Sequence, residues 1–561
     1  MKPRHLSTLL ILLVLGVFLV WPVGHVFVRS IQDEGGFTLH YVKGLFTNPA
    51  QMEAVGASFL IAVCVTASCL LVALPLAWLF ARRSFAGKAV WSALLLLPMI
   101  LPPFVSAVGM RMIFSRAGAL STLLMQMGWV DGPVDWFGRF PFAGIVLLET
   151  LHLFPILYLN LVAAFANIDP SLEEAAVNLG ATPGRVFRRV TLPLAMPGVF
   201  AGMVLVFIWS FTELGTPLVF GVRRVLPVMI YDSVAEIGTN PAGYAQVAFV
   251  LVVSMAGFWI SKQILARQRS VATLGRLSLG RREVPLSRRG TLLVTVALLV
   301  LLGLAVLPHL SVTLLAVSRR WFLTVLPQGW TLEFFGRALN DELTRNALLN
   351  SLGLSLCATV LDVLIGFGIA WLCVRGRIRG ADWLDALAML PLAVPGLVIA
   401  FGYIGCFSGA FPNTIMDPRF NPVILLSVSY AIRRLPYMVR AAHAGLEQVS
   451  VSYEEAAANL GATPLRVVWR VTLPLILANL LAGGILCFSF SMLEVSDSLI
   501  LAQAEEFFPI TKAIYVLQDG LENGLNVASA MGVWAMALLG AGILLATSLM
   551  GKRIGQMFRA G

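Results

Sequence analysis

Charge is scarce in this chain. Asp, Glu, Lys and Arg make up 12% of its 561 residues, about half the ~25% usual in a soluble protein. Hydrophobic residues make up 58%, and the mean hydropathy is +0.86. So much apolar surface cannot be hidden in a water-soluble core, so lipid is the natural solvent. Motifs that carry chemistry are missing too. No G-x-x-x-x-G-K-[ST] phosphate loop occurs, because the Gly-Lys pairs are followed by Ala89 and Arg553. The chain therefore does not hold ATP by that device. No metal-ligand cluster, nucleophile elbow or paired acid–base constellation is legible, so an enzyme reading has no support and no cofactor is expected. The six cysteines (Cys64, Cys69, Cys357, Cys373, Cys406 and Cys487) all fall in apolar runs. Without metal or disulfide spacing they read as small buried residues.

What is present is a series of apolar runs of roughly 20 residues, the length that crosses a bilayer. Twelve are expected, within 6–28, 54–81, 89–114, 142–166, 195–221, 243–266, 290–316, 346–374, 383–409, 421–444, 475–503 and 526–549. The run at 421–444 is the weakest, since it contains Arg433 and Arg434. The first run is too long for the core of a signal peptide and reads as a retained span. The net charge of +11 is placed for a membrane, not for nucleic acid. Arg82, Arg83 and Lys88 follow the second run. Lys262, Arg267, Arg269, Arg276, Arg281, Arg282, Arg288 and Arg289 surround the gap between the sixth and seventh, against one acid, Glu283. Arg375, Arg377 and Arg379 follow the eighth. These are alternate loops, so they share one side, and the positive-inside rule makes it cytoplasmic. Both termini are then expected in the cytoplasm.

The runs form two halves. Around the second and third runs the halves align at an offset of 293, which pairs Trp78 with Trp371, Pro98 with Pro391, Pro102 with Pro395 and Gly109 with Gly402. From the fourth run onward the offset is 281 and pairs Pro155 with Pro436. The twelve-residue difference falls in an outer loop, around "GWVDGPVDWFGRF", where insertion is tolerated. Six runs per half is even, so the halves enter the membrane in the same sense, as parallel repeats do. The expected domains are a first half over 1–266 with its core near 54–262, a basic linker over 267–289, and a second half over 290–561 with its core near 346–549.

One polar phrase recurs almost letter for letter. "EEAAVNLGATP" occupies 173–183 and "EEAAANLGATP" occupies 454–464, both in the loop between the fourth and fifth runs of their half. Ser171 with Glu174, and Ser452 with Glu455, fit a capping box. Gly180 and Gly461 stand where a short helix ends in a left-handed residue. Thr182 and Thr463 can cap a second helix, with Pro183 and Pro464 at its first position. The paired alanines leave a thin surface that another protein can approach. A loop that merely joined two spans would be expected to drift between the halves, and this one has not.

Extended to "EEAAVNLGATPGRVFRRVTLP" and "EEAAANLGATPLRVVWRVTLP", the phrase resembles the E-A-A-x-x-x-G loop of type I ABC importer permeases. The matching residues are Glu174, Ala175, Ala176, Gly180, Leu192 and Pro193, and Glu455, Ala456, Ala457, Gly461, Leu473 and Pro474. The resemblance implies an all-α integral membrane fold and a bacterial inner-membrane location. It implies a coupling helix in each loop, docked on one of two copies of a cytoplasmic ATPase subunit. It further implies a periplasmic or lipid-anchored binding protein that delivers cargo. A chain with both halves resembles the fused permeases of ferric iron, thiamine and aminoethylphosphonate importers, and ferric iron heads that series.

Ionisable residues within spans are functional candidates by default. Glu213 aligns with Glu494, and Asp497 follows one turn later, opposite Thr216. Two acids facing one another across the repeat could meet cargo, or could bond unwound backbone beside Gly215 and Pro217. Arg433 and Arg434, opposite His152 and Leu153, could pair with those acids or meet an anion. Glu149 and Asp362 add two more acids. The third-run prolines Pro98, Pro102, Pro103, Pro391 and Pro395 can break helices where a cavity is lined or only kink a packed span, and the kink is the expectation. A secondary transporter with two parallel repeats is the alternative reading, and nothing in it calls for a twin cytoplasmic loop.

Overall fold

The computed structural model describes residues 3–33, 35–100, 102–272, 284–376, 380–518, 520 and 523–550. Helices dominate them. In the first half these are α1 (Leu6–Ser30), α2 (Pro49–Arg82), α3 (Pro103–Phe114), α4 (Pro141–Ala166), α5 (Pro170–Asn178), α6 (Leu192–Phe211) and α7 (Ala242–Ala272). In the second they are α8 (Arg288–Ala316), α9 (Glu342–Val374), α10 (Gly396–Ala410), α11 (Val423–Gln448), α12 (Val451–Asn459), α13 (Leu473–Met492) and α14 (Gly524–Met550). Of the linker expected over 267–289, residues 273–283, with Arg276, Arg281 and Arg282, lie outside the described residues. Arg377 and Arg379 do as well.

Among the described residues, nine helices are long and apolar enough to cross a membrane, or eleven if each of two bent pairs is one span. The sequence reading expects twelve. The missing one is α11, which has 26 residues and therefore the necessary length. It falls short because Arg433, Arg434 and Arg440 leave no stretch of 18 residues in it with fewer than three charges. The prolines of the third run do more than kink it. Ala381–Leu392 and α10 meet at 98°. Pro391 opens a 3-10 turn and Pro395 caps α10. Proline has no N–H to give the preceding turn and biases the residue before it away from helix, so two prolines four residues apart break the span. The first half repeats the device with a 3-10 turn at Leu97–Ile100, then Pro102 and Pro103 at the start of α3.

The chain packs into two compact units that interleave its halves. One takes Met1–Gln51, Met229–Leu251 and Thr331–Met557, and the other takes Met52–Val228 and Val252–Trp330. The first span of each half thus packs with the body of the other half. The aligned glycines Gly109 and Gly402 show why. A Cβ on Gly402 would lie 3.1 Å from the Pro22 carbonyl oxygen of α1, and one on Gly109 would lie 2.7 Å from that of Pro308 in α8. Only glycine lets the backbones approach so closely. Polar bonds seal both contacts. Tyr403 Oη donates to the Phe18 carbonyl at 2.8 Å, and Ser311 Oγ donates to the Gly109 carbonyl at 2.7 Å. A further repeated device caps the short helices that follow the fifth span of each half: the Leu226 N–H donates to Ser58 Oγ at 2.8 Å and the Ile510 N–H to Ser351 Oγ at 2.8 Å.

Candidate functional site

Both copies of the repeated phrase fold alike. Each makes a nine-residue helix, α5 or α12. Gly180 (φ +82°) and Gly461 (φ +86°) then turn the chain through left-handed backbone. A second helix starts with Pro183 or Pro464 in its first turn. It runs into α6 or α13 through one wide π turn, Phe187–Thr191 or Val468–Thr472. Pro193 and Pro474 explain that turn. Their rings cannot donate and crowd the carbonyl one turn back, and an extra residue in the turn accommodates this.

The cap lies two residues before the position expected from sequence. Asp169 is the N-cap of α5 and accepts the Ser171 N–H at 2.9 Å. Ser450 caps α12 and accepts the Ser452 N–H at 3.3 Å. Ser171 and Ser452 therefore stand inside the first turn and form no capping box with Glu174 or Glu455. Thr182 and Thr463 occupy N-cap positions without a side-chain bond.

The motif residues present themselves outward. Glu174, Ala175 and Gly180 are exposed, as are Glu455, Ala456 and Gly461, while Ala176 and Ala457 are half-buried. Leu192 and Leu473 are half-buried and Pro193 and Pro474 exposed, where the second helix joins the span. Two residues that sequence reasoning passed over stand out. Leu179 and Leu460, just before the turn glycines, are each 90% exposed. A leucine displayed this fully at the tip of a polar loop is suited to a pocket on a partner. Equally unforeseen is the first glutamate of each copy. Glu173 Oε1 accepts from Arg82 Nη2 at 2.8 Å and from Thr191 Oγ1 at 2.6 Å. Glu454 Oε1 accepts from Arg375 Nε at 3.2 Å and from Thr472 Oγ1 at 3.1 Å.

Within the spans, the structure gathers all four candidates of the second half. Glu494 Oε1 pairs with Arg433 and Glu494 Oε2 with Arg434. Asp497 Oδ2 lies 3.7 Å from Arg433 and accepts from Ser429 Oγ at 2.8 Å. Arg434 also donates to the Phe490 carbonyl at 3.2 Å and lies over the Phe490 ring. Glu494 and Asp497 are both buried, which two arginines and hydrogen bonds make tolerable in a low-dielectric setting. The network joins α11 to the helix break after α13, where Thr511 Oγ1 also donates to the Glu494 carbonyl at 2.7 Å.

The first half is built differently. Glu213 Oε1 accepts the Gly215 N–H at 3.2 Å and the Thr216 N–H at 3.3 Å, which caps the short helix Gly215–Val219 after the break in the span. His152, opposite Arg433, bonds the Pro98 carbonyl through Nδ1 at 3.0 Å. Glu149 accepts from Ser210, and Asp362 lies beside Cys487 and Arg434. Both acids are buried. Lys512 is another residue that sequence reasoning missed. It is buried, and its Nζ donates to the Leu499 carbonyl at 3.0 Å and to Tyr231 Oη at 3.2 Å.

A family model described as "Binding-protein-dependent transport system inner membrane component" matches residues 73–271 and 362–559, one match in each half. The chain is 27% identical over 543 residues to the ferric transport system permease protein FbpB of Actinobacillus pleuropneumoniae, across 95% of this chain and 77% of that one. It is 27% identical over 506 residues to the putative ferric transport system permease protein FbpB 1 of Haemophilus influenzae, across 89% and 78% of the two. A 219-residue stretch is 35% identical to the molybdenum transport system permease protein ModB of Mycobacterium tuberculosis, across 38% of this chain and 78% of that one.

Proposed function

Because the chain belongs to the family of binding-protein-dependent transport system inner membrane components, we propose that it moves ferric iron inward by alternating access. It is the multi-pass permease subunit of an ABC importer, and its family implies an ATPase and a substrate-binding protein as partners. The observation that carries the cargo reading is the likeness over nearly the whole chain to permeases named for ferric transport.

The finer mechanism follows from the two loops. Each of α5 and α12 docks on one ATPase subunit in the cytoplasm, so two copies serve one chain. The basic loops and both termini share that side. Hydrolysis belongs to the ATPase subunits, and this chain itself turns over no nucleotide. Closure of the ATPase pair draws the docking helices together and opens the path outward, and hydrolysis resets it. Glu213, Glu494 and Asp497 stand where span five of their half breaks, Arg433 and Arg434 reach Glu494 from α11, and we take all five as the candidates for lining the path. Arg433 and Arg434 favour a second cargo reading, an oxyanion such as a phosphonate, since arginine is suited to bidentate oxyanion recognition. Thiamine, polyamine and sugar are further cargoes of the same class. A secondary transporter is set aside by the family.

The test is ATP hydrolysis by the reconstituted permease–ATPase complex with binding protein loaded with ferric iron, aminoethylphosphonate, thiamine, polyamine or sugar. Stimulation by the ferric form alone is the expected outcome. Stimulation by another form and not by iron overturns the cargo reading, and failure of the permease to retain any ATPase overturns the docking reading.

A further inference from the structure

The helices α5 and α12 have no core of their own. No residue in either is fully buried. A helix of nine residues is also too short to be stable alone. Packing alone therefore holds them only weakly, and polar contacts must add to it if they are to bear a load.

The polar contacts of Glu173 and Glu454 fill that role twice over. Each glutamate takes one bond from the end of span two, through Arg82 or Arg375, and one from the start of span five, through Thr191 or Thr472. The three residues of one set map onto the other at the two repeat offsets, 293 for the arginines and 281 for the rest. The sequence around the arginines differs, "FARRS" in one half and "CVRGR" in the other, yet the geometry recurs. An ordinary surface ion pair would be exposed and worth little. Here the side chains are 14% and 19% exposed in one set and 10% and 15% in the other. Thr191 and Thr472 are buried. In the second set Arg375 Nη2 also donates to the Leu446 and Val449 carbonyls, at 2.8 and 2.7 Å, where α11 ends. That ties a third element to the clamp and places a cation where a helix C-terminus favours one.

We propose that Glu173 and Glu454 are positioning residues that clamp each docking helix to the ends of spans two and five, so that a push on the helix reaches both spans together. The inference rests on the docking reading above. The exposed Glu174, Leu179, Glu455 and Leu460 meet the partner, and the inward-facing first glutamate passes the motion on. Thr191 and Thr472 sit in the π turn, so the push enters span five at its most irregular point.

The test uses the full chain in lipid nanodiscs, with spin labels at the exposed positions Ala86 and Asn178 on a cysteine-free background. The distance between them is read with and without the cognate ATPase trapped by ATP and vanadate. The wild type is expected to hold one narrow distance in both conditions. E173Q and R82A should broaden it about twofold, because a helix without a packed face samples several positions. The exchanged pair R82E/E173R should restore the narrow distance, which a residue needed only for general folding would not do. A narrow wild-type distribution in E173Q, or no recovery in the exchanged pair, overturns the clamp. The reading without ATPase tests the clamp by itself. Failure of the wild type to retain the ATPase counts against the docking reading instead.

Discussion

Gly396 and Arg433 share one small space. A Cβ on Gly396 would fall on the Arg433 guanidinium and within 2.7 Å of Asp497 Oδ1. The repeat makes this a controlled comparison. In the first half Pro103 stands opposite Gly396 and His152 opposite Arg433. The arginine and the residue that makes room for it have changed together between the halves. Gly396→Ala is expected to push Arg433 off Glu494 at a cost of about 1–3 kcal/mol, seen as a lower melting temperature of the purified protein. In an Arg433→His background the same Gly396→Ala change should cost little further, because the guanidinium it displaces is gone. A G396A variant as stable as wild type would show that the guanidinium can move aside freely.

Leu179 and Leu460 are the residues to change first in testing the proposed docking loops. Burying one leucine in a partner pocket contributes about 1.5–3 kcal/mol. Leu179→Ala and Leu460→Ala are each expected to weaken ATPase binding by roughly tenfold or more, and the double variant should release the subunit. Neither leucine packs inside the permease, so expression and melting should match wild type. Titration of labelled ATPase onto nanodisc-held permease measures this. Unchanged affinity in the double variant would move the docking surface elsewhere.

Gly180 and Gly461 separate backbone strain from crowding. Both hold left-handed backbone, yet no atom stands within 4 Å of where a Cβ would be. A Cβ at either position meets no neighbouring element, so a substitution pays the penalty of left-handed backbone, about 1–2 kcal/mol for an ordinary side chain and more for β-branched valine. The expected result is normal membrane insertion with the docking tip turned away, and so a loss of ATP-driven transport. Transport at the wild-type rate in Gly180→Val and Gly461→Val would mean that the turn does not set the tip.

The repeat, the glycine turns and the prolines after them were legible in sequence because each rests on local chemistry. The loops' anchors were not. Arg82 and Glu173 lie 91 residues apart and Arg375 and Glu454 lie 79 apart, and nothing local joins them. Asp169 was hidden by Ser171, which offers an equally good cap two residues later, with a glutamate at the spacing of a capping box. Leu179 and Leu460 look like core residues until the chain is seen to hold them out. Proline pairs read alike whether a span bends slightly or breaks, and only packing decides. The gathering of Arg433, Arg434, Glu494 and Asp497 was open in sequence as one of two choices. Where the spans break settled their contacts.

Glu494 holds two arginines at once, so removing it is costly. Glu494→Gln leaves Arg433 with Asp497 alone and Arg434 with the Phe490 carbonyl. Breaking a buried pair on one side costs about 3–5 kcal/mol, so the variant should melt well below wild type. The quadruple variant R433Q/R434Q/E494Q/D497N removes the charges of the network together and should recover stability. If transport returns with stability, the network is a structural brace. If stability returns without transport, the charges act on cargo or on the gate. Full activity of Glu494→Gln would argue against both.

Asp417 supplies the pH prediction. It lies in the loop between α10 and α11 and accepts from Ser408 Oγ at 2.6 Å, the Asn413 N–H at 3.1 Å and the Arg419 N–H at 3.0 Å. Burial by itself would raise this carboxyl, but those donors and the Arg419 charge outweigh it and hold it below its ordinary value. A depressed folded value means the unfolded chain takes up the proton first as pH falls. The stabilisation is therefore complete above the ordinary aspartate value of about 3.9 and is lost progressively below it. Asp417→Asn keeps the shape but not the charge. It is expected to lower the melting temperature at pH 7 and to bring the two proteins together as pH drops towards 3. Parallel melting curves for wild type and Asp417→Asn across that range decide it, because the other acids titrate identically in both. A gap that stays constant from pH 7 to pH 3 would show that the charge on Asp417 contributes nothing to holding the loop.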